Sequence, residues 1–410
     1  MAICAAFRNE ATFTRWRLLA NENEDIDVTL IGPKYWEDRT WTESAIVRPK
    51  HIKEERFRFI PINMKPLKWL RNGWLSWELL NLIKKYQPDL IYMIGFEIDN
   101  IVFEVGLYRL LFLKKTKIVA FTMRGLPLPL HIPHFRLRWS FAKKVFDAYM
   151  CHFPAGKMVL EQQGRFLKPI YLQTQIGVDA DVFKPDIYLR QKVRESLGIK
   201  DEFVFGAACR MVIDKGIYDI LDALPVEGKW KLIILGDGEE LENFRDSVKK
   251  RNLQNYVITP GYVSMGQGVS GYMNAMDCFI HVPRTNLDRN FFDTFPLSVV
   301  QAMATRLPVI GSDSGGVPYQ LGGKGIIIPE RNIQSLHEAM VEVMNNQAIA
   351  QKIGSELYLH VQNAFEIKHL TKCFNIVMRE ILVNIYDSNH VDQASFAFNT
   401  QNLISQKELI

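Results

Sequence analysis

Apolar runs of strand length alternate with amphipathic stretches of helix length along most of the chain, which predicts parallel sheets covered by crossover helices. In the first half the runs predict strands at 2–6, 26–31, 57–61, 88–95 and 117–122, with a short one at 169–173. Helix-period stretches fall at 11–20, 75–86, 100–112, 135–147 and 155–163. In the second half FVFGAAC, KLIILG, YVIT, DCFIHV, PVIGS and GIIIP read as six strands, each leading to a helix or to a loop before one. The expected fold class is α/β, with two doubly wound Rossmann-like sheets. Gly177, the aspartates of GVDADVFKPD and Pro185 make a turn between them. The expected domains are therefore residues 1–180 and 181–386, followed by a weakly patterned polar tail at 387–410. Open α/β sheets bind ligands at the carboxyl ends of their strands, so two such sheets facing each other enclose a cleft lined by loops from both.

A chain of 410 residues, 48% of them hydrophobic, can bury two cores of roughly 200 residues each, which excludes a single small binding module. Its five cysteines are scattered without a C-x-x-C pair, and no Asn-x-Ser/Thr sequon occurs, so nothing points to secretion or structural zinc. No stretch reaches the ~18 apolar residues of a membrane span, and the start lacks the basic, apolar and small-residue pattern of a signal peptide. The expected location is the cytoplasm. Charge adds a second element: residues 1–180 carry 27 Lys and Arg against 18 Asp and Glu, whereas the rest of the chain is net acidic. Within the basic half, MKPLKWLRNGWLSW, LLFLKKTK and LHIPHFRLRWSFAKKVF interleave cations with Trp, Phe and Leu. They mark an anionic membrane surface, met peripherally on the inner face, as a partner; ordinary helices with solvated cations and buried aromatics are the alternative. No nucleic-acid partner is expected, because no recognised module accompanies the charge.

The candidate chemistry lies in loops that follow strands of the second half. After FVFGAAC come Arg210 and then Lys215 and Gly216, the latter opening a helix, so two cations and helix N-terminal amides converge where a diphosphate would fit. In FFDTFPLSVVQAMATRLPVIGSDSGGVP, Asp293 stands in a loop, and a helix opens near Phe295 with the amides of Phe295, Leu297 and Ser298. Gln301, two turns along, can offer its amide to ribose hydroxyls. Gly315 and Gly316 form a further loop where backbone can approach a ligand closely. Two Asp-x-Asp triplets, at 25–27 and 179–181, precede a strand and lie in the interdomain turn, so no metal site is expected from them.

Residues 175–330 resemble the donor-binding domain of GT-B retaining glycosyltransferases, family 4 (glycosyl transferases group 1). The matching text is QIGVDADVFKPD, CRMVIDKGIYDILDAL, LGDGEE, the GYV step and QAMATRLPVIGSDSGGVP, in the family's order and spacing. The resemblance implies a nucleotide-diphosphate sugar as donor substrate, no cofactor, and transfer with retention and without metal to a glycan or lipid-linked acceptor in surface polysaccharide or glycoconjugate synthesis. It implies that Arg210 and Lys215 clamp the diphosphate, that Gln301 meets the ribose and that Asp293 sits by the transferred sugar. The family has Glu at both ends of this eight-residue step, and this chain has Asp293 and Gln301. These departures leave open a non-catalytic donor-binding relative, alongside a GT-B epimerase or inverting transferase. In the first half the family's glycine-rich loop is replaced by Phe7, Arg8 and Asn9, and its histidine position by Met123 or Arg124. Glu97, His131 and His134 are weak acceptor-side candidates.

Overall fold

The computed structural model describes residues 1–4, 12–38, 45–63, 65–66, 74–95, 100–125, 127–264, 266–288, 291 and 293–384. Phe7, Arg8, Asn9, Glu97, most of MKPLKWLRNGWLSW and the tail 387–410 lie outside them. Within the first half the strands are β1 (Ala2–Cys4), β2 (Val28–Pro33), β3 (Trp36–Asp38), β4 (Ala45–Val47), β5 (Ile52–Lys53), β6 (Phe57–Ile62), β7 (Lys65–Pro66), β8 (Trp74–Leu75), β9 (Leu90–Ile94), β10 (Lys117–Thr122), β11 (Ala148–Cys151) and β12 (Ile170–Leu172). The second half supplies β13 (Phe203–Ala208), β14 (Trp230–Leu235), β15 (Val257–Gly261), β16 (Cys278–His281), β17 (Val309–Ser312) and β18 (Ile326–Ile328).

Among the described residues one sheet has the order β12-β11-β10-β9-β1-β2-β6-β5 and the other β15-β14-β13-β16-β17-β18. Both are parallel except for β5, which pairs antiparallel at an edge. Helices cover both faces, so strands such as β10 and β14 are apolar nearly throughout rather than alternating. The sequence analysis missed β11. Its four residues, AYMC, are too short a run to stand out between two helical patterns, yet all are fully buried. Each sheet winds outward in both directions from its first strand, so its topological switch point lies between β1 and β9 in one and between β13 and β16 in the other.

The chain passes between the two sheets twice. The helix Ile367–Val383, which follows the second sheet in sequence, packs on the first: Phe374 meets Trp16 at 5.4 Å and Tyr92 at 5.2 Å, both edge-on. Val377, Met378 and Ile381 share that core with Phe57, Phe59 and Phe121. The two crossing segments pair with each other, the amide of Val178 donating to the carbonyl of Phe365 and that of Ile367 to the carbonyl of Val178, both at 2.9 Å. A Cβ at Gly177 would stand 2.8 Å from the Phe365 carbonyl oxygen, so the close approach of the crossings requires glycine there.

Arg15 locks this junction. Its guanidinium is buried and donates at 3.1 Å to the carbonyls of Thr174, Gln175 and Leu370, which belong to both crossings, while resting 4.3 Å from the Phe374 ring centre. Burial pushes it down to about 10, which leaves it a cation at neutral pH. Removing it takes that donor from the buried carbonyl of Thr174 and leaves the carbonyl of Leu370 with Gln173 Nε2, at 3.0 Å, as its side-chain donor. Arg15→Ala is therefore expected to cost about 3 kcal/mol or more, read as a lower thermal midpoint; an unchanged midpoint would show that apolar packing alone holds the crossings.

Candidate functional site

The loop after β13 is the first component. Met211 donates its amide to the carbonyl of Asp237 at 2.8 Å, and the chain then makes a 3₁₀ turn over Ile213–Lys215 before the helix Ile217–Asp222. Gly216, at φ 69°, joins the two, and a Cβ there would lie 2.0 Å from the carbonyl oxygen of Val282. Only glycine lets this turn press against the end of β16. Arg210 is exposed, and its guanidinium bonds to no described residue.

The second component is the loop between β16 and the helix Leu297–Ala304. Its first part is tied down by neighbouring loops. Ser312 donates to the carbonyl of Pro283 at 2.7 Å, and Arg284 donates from Nε and Nη2 to the two carboxylate oxygens of Asp219. Thr285 donates its amide and hydroxyl to the two oxygens of Glu330, at 2.9 and 2.6 Å. Asn286 donates to Asp214 at 3.0 Å. Asp293 follows, and one of its oxygens, Oδ2, accepts from Lys215 Nζ and, at 2.9 Å, from His281 Nε2.

Gly315 and Gly316 press on the same backbone. Gly316 donates to the carbonyl of Asp293 at 2.9 Å, and Cβ atoms at Gly315 and Gly316 would lie 2.1 and 1.9 Å from the carbonyl oxygens of Asp293 and Thr294. The structure thus brings Lys215, Gly216, Asp293, Gly315 and Gly316 into one place, with Arg210 earlier on the loop that carries Lys215. They lie at the carboxyl ends of β13, β16 and β17, at the switch point of the second sheet.

The helix start differs from the expectation. Pro296, which has no amide hydrogen, is its N-cap, so the helix opens at Leu297 and Phe295 remains outside. The Phe295 ring instead stacks on His152, centroids 5.3 Å apart and planes 11° from parallel. Gln301 is buried, and its side chain makes no hydrogen bond to a described residue. His131 and His134 are exposed at the start of the helix Pro133–Val145, and Met123 is exposed after β10.

Two histidines that the sequence analysis passed over sit in the cleft region. His281 is the last residue of β16, and burial holds its ring below the ordinary histidine range in spite of Asp293. A neutral ring facing a carboxylate donates from Nε2. For Asp293, burial pulls upward, but Lys215 and then His281 outweigh it and keep the carboxyl well below the usual range. His152 follows β11, bonds through Nδ1 to the Thr174 hydroxyl at 2.9 Å, and is pushed down to about 3 by burial and then by the Arg15 charge. Its position at the end of an apolar strand was the available signal, and that strand was the one missed.

Solved structures with this two-sheet arrangement include a sucrose-phosphate synthase of Thermosynechococcus elongatus, with a TM-score of 0.70 and 17% identity over 93% of this chain and 98% of that one. An Anabaena protein crystallised with UDP reaches the same TM-score at 16% identity, covering 92% and 98%. The fold is GT-B. Within it, residues 190–359 match the family model described as glycosyl transferases group 1. An uncharacterized glycosyltransferase of Methanocaldococcus jannaschii is 25% identical over 299 residues, 68% of each chain. A GDP-mannose-dependent phosphatidylinositol monomannoside mannosyltransferase of Mycobacterium tuberculosis is 26% identical over 186 residues, 44% of this chain and 48% of its own. The chain spans about half the length of several curated relatives that it matches, 46% in a Bacillus subtilis glycosyltransferase named for teichuronic acid biosynthesis.

Two outcomes follow from the GT-B site's electrostatics. An unfolded His152 takes a proton below 6.5 and the folded one refuses it until about 3, so stability falls as pH drops through that interval. The loss is on the order of 1 kcal/mol per pH unit, and His152→Gln should flatten it; parallel stability curves from pH 7 to 5 would show that His152 protonates in place. Gln301→Glu buries a carboxylate where no described side chain pairs with it, so it should lower the thermal midpoint and fail to tighten nucleotide binding. Tighter binding of UDP, GDP or ADP by that variant, measured by calorimetry, would contradict this.

Proposed function

We propose that this GT-B protein transfers a sugar from a nucleoside-diphosphate donor to a glycan or lipid-linked acceptor, in polysaccharide or glycolipid synthesis. The observation that carries the reading is the Lys215–Asp293 pair at the switch point of the second sheet, next to the exposed Arg210 and the glycine loop. The match to glycosyl transferases group 1 over the same residues supports it, as do the relatives' names.

In this reading Arg210 and Lys215 receive the diphosphate, and Gln301 bonds the ribose. As the bond from the sugar's anomeric carbon to the phosphate oxygen breaks, negative charge gathers on the phosphate, where two cations already stand. The acceptor oxygen bonds to the anomeric carbon from the same face, and its proton passes to the departing phosphate, so the anomeric configuration is retained. The two cations take the charge-neutralising role that a divalent ion serves in other transferases. Asp293 lies beside the sugar and positions Lys215.

A second reading, a donor-binding relative without transfer, is favoured by one feature: the short carboxylate of Asp293 is already committed to Lys215 and His281. Transfer or donor hydrolysis in a mixed-acceptor assay, followed by determination of the anomeric configuration, separates the two. Absence of both reactions with every donor that binds would leave the second reading standing.

Arg210→Ala and Lys215→Ala should each weaken nucleoside diphosphate binding by about 1.5 to 3 kcal/mol. Calorimetry with UDP, GDP and ADP checks this, and unchanged affinities in both variants would remove the clamp. Transfer should also survive EDTA; complete loss, restored by manganese or magnesium, would overturn the metal-free mechanism.

A further inference from the structure

Three turns far apart in sequence lie side by side at the amino ends of β10, β11 and β12, the pole of the first domain away from the cleft. Neighbouring strands of one sheet bring them together. The helix Asn100–Phe112 ends at the first turn, leaving Leu110, Leu111 and Phe112 exposed by 57%, 60% and 66%. The helix Pro133–Val145 ends at the second, fastened to the first by Arg109, which donates to the carbonyl of Val145 and pairs with Asp147 at 2.9 Å. The third is fastened in turn by Lys168, which donates to the carbonyls of Lys144 and Phe146. It presents Leu167, 96% exposed.

The charge around these leucines is mainly positive, although Asp89 is exposed beside the first turn, where its carbonyl accepts from the amide of Lys117. Lys114, Lys115, Lys144 and Arg165 are all exposed there. Residues 109–117 and 143–147, which make the first two turns, contain six Lys and Arg against one acid, Asp147. Asp147 is already bonded to Arg109 and to the amide of Ile118. The aromatic residues of LHIPHFRLRWSFAKKVF contribute little, since Trp139 and Phe146 are buried. Leu167, which the sequence analysis did not single out, completes the apolar part.

We infer that this pole docks on the surface of an anionic lipid bilayer, with the four apolar side chains entering the headgroup region and the ring of cations meeting lipid phosphates. A second copy of the chain is a poor occupant, because a two-fold interface on this patch would set its cations, Lys114, Lys115 and Lys144 among them, against the same basic patch of the copy. The cleft opens at the opposite, carboxyl ends of the strands, so docking leaves it clear. The inference stands apart from sugar transfer, because membrane binding is read without any reaction.

Flotation of the full chain with phosphatidylcholine vesicles, with and without phosphatidylglycerol, tests it. The protein should float with the anionic vesicles and be released as salt rises. Lys114→Glu with Lys115→Glu should lower the vesicle partition coefficient by roughly 30-fold or more. Leu110→Ser, Leu111→Ser and Leu167→Ser together should also abolish flotation, with thermal midpoints kept because all three side chains are exposed. Equal flotation on neutral vesicles, flotation unaffected by either variant, or none at all would overturn the inference. So would a dimer seen by light scattering that the leucine variant dissolves, since a second copy would then cover the patch.

Discussion

A buried carboxylate sets the terms for the second domain's cleft. Taking the charge of Asp293 out of water is costly unless opposite charge and hydrogen bonds reach it at close range. Lys215 and His281 supply these from two different loops. Their reach is short, so the loops must come within van der Waals distance of one another, and that requirement explains the glycines. Gly216 lets the Lys215 turn touch Val282, while Gly315 and Gly316 let a third loop lie on the backbone of Asp293 and Thr294. The ties from Arg284 to Asp219 and from Thr285 to Glu330 then keep the loop carrying Asp293 from relaxing outward.

The same pair bears on chemistry. Lys215 is a point charge on a flexible stem, and pairing with Asp293 restricts it to the mouth of the site. In the proposed reading a diphosphate meets this ordered ammonium together with the exposed guanidinium of Arg210, on the same loop. Asp293 is one methylene shorter than the glutamate expected at this position from the family resemblance. With its Oδ2 shared between Lys215 and His281, it serves as a brace for the cation, and the amide of Gln301 supplies neutral donors and an acceptor without adding a second buried charge.

Much of this was legible in the sequence because parallel strands buried on both faces leave continuous apolar runs. All six strands of the second sheet announced themselves this way, and the loops after them held the candidate residues. The exceptions have physical causes. The four residues of β11 are too few to show a period, and with β11 unread, His152 stood in no recognisable place. Phe295 was read as part of a helix start, but Pro296 is the N-cap, so the helix opens two residues later, at Leu297, and the Phe295 ring is free for the domain interface. The return of the helix Ile367–Val383 to the first sheet depends on which apolar face it meets. Periodicity shows that such a face exists and is silent about its partner. Leu167 looks like any turn residue until the sheet places its turn beside two others.

The junction between the domains connects these parts. His152 belongs to the first sheet, and the Phe295 ring stacked on it belongs to the loop that carries Asp293 two residues earlier. Phe295 also packs edge-on against Phe365, which accepts the Val178 amide where the two crossings pair. A single aromatic ring therefore touches the first domain, the crossing and the loop of the candidate site. Aromatic contacts of this kind do not stretch: a ring displaced by an ångström loses much of its dispersion contact. A change in the angle between the domains must either carry Phe295 with it or break the stack. Carrying it moves the backbone two residues from Asp293, which Gly315 and Gly316 hold from the other side. A continuous line of contacts thus runs from the first domain through the Phe295 ring to the loop that carries Asp293.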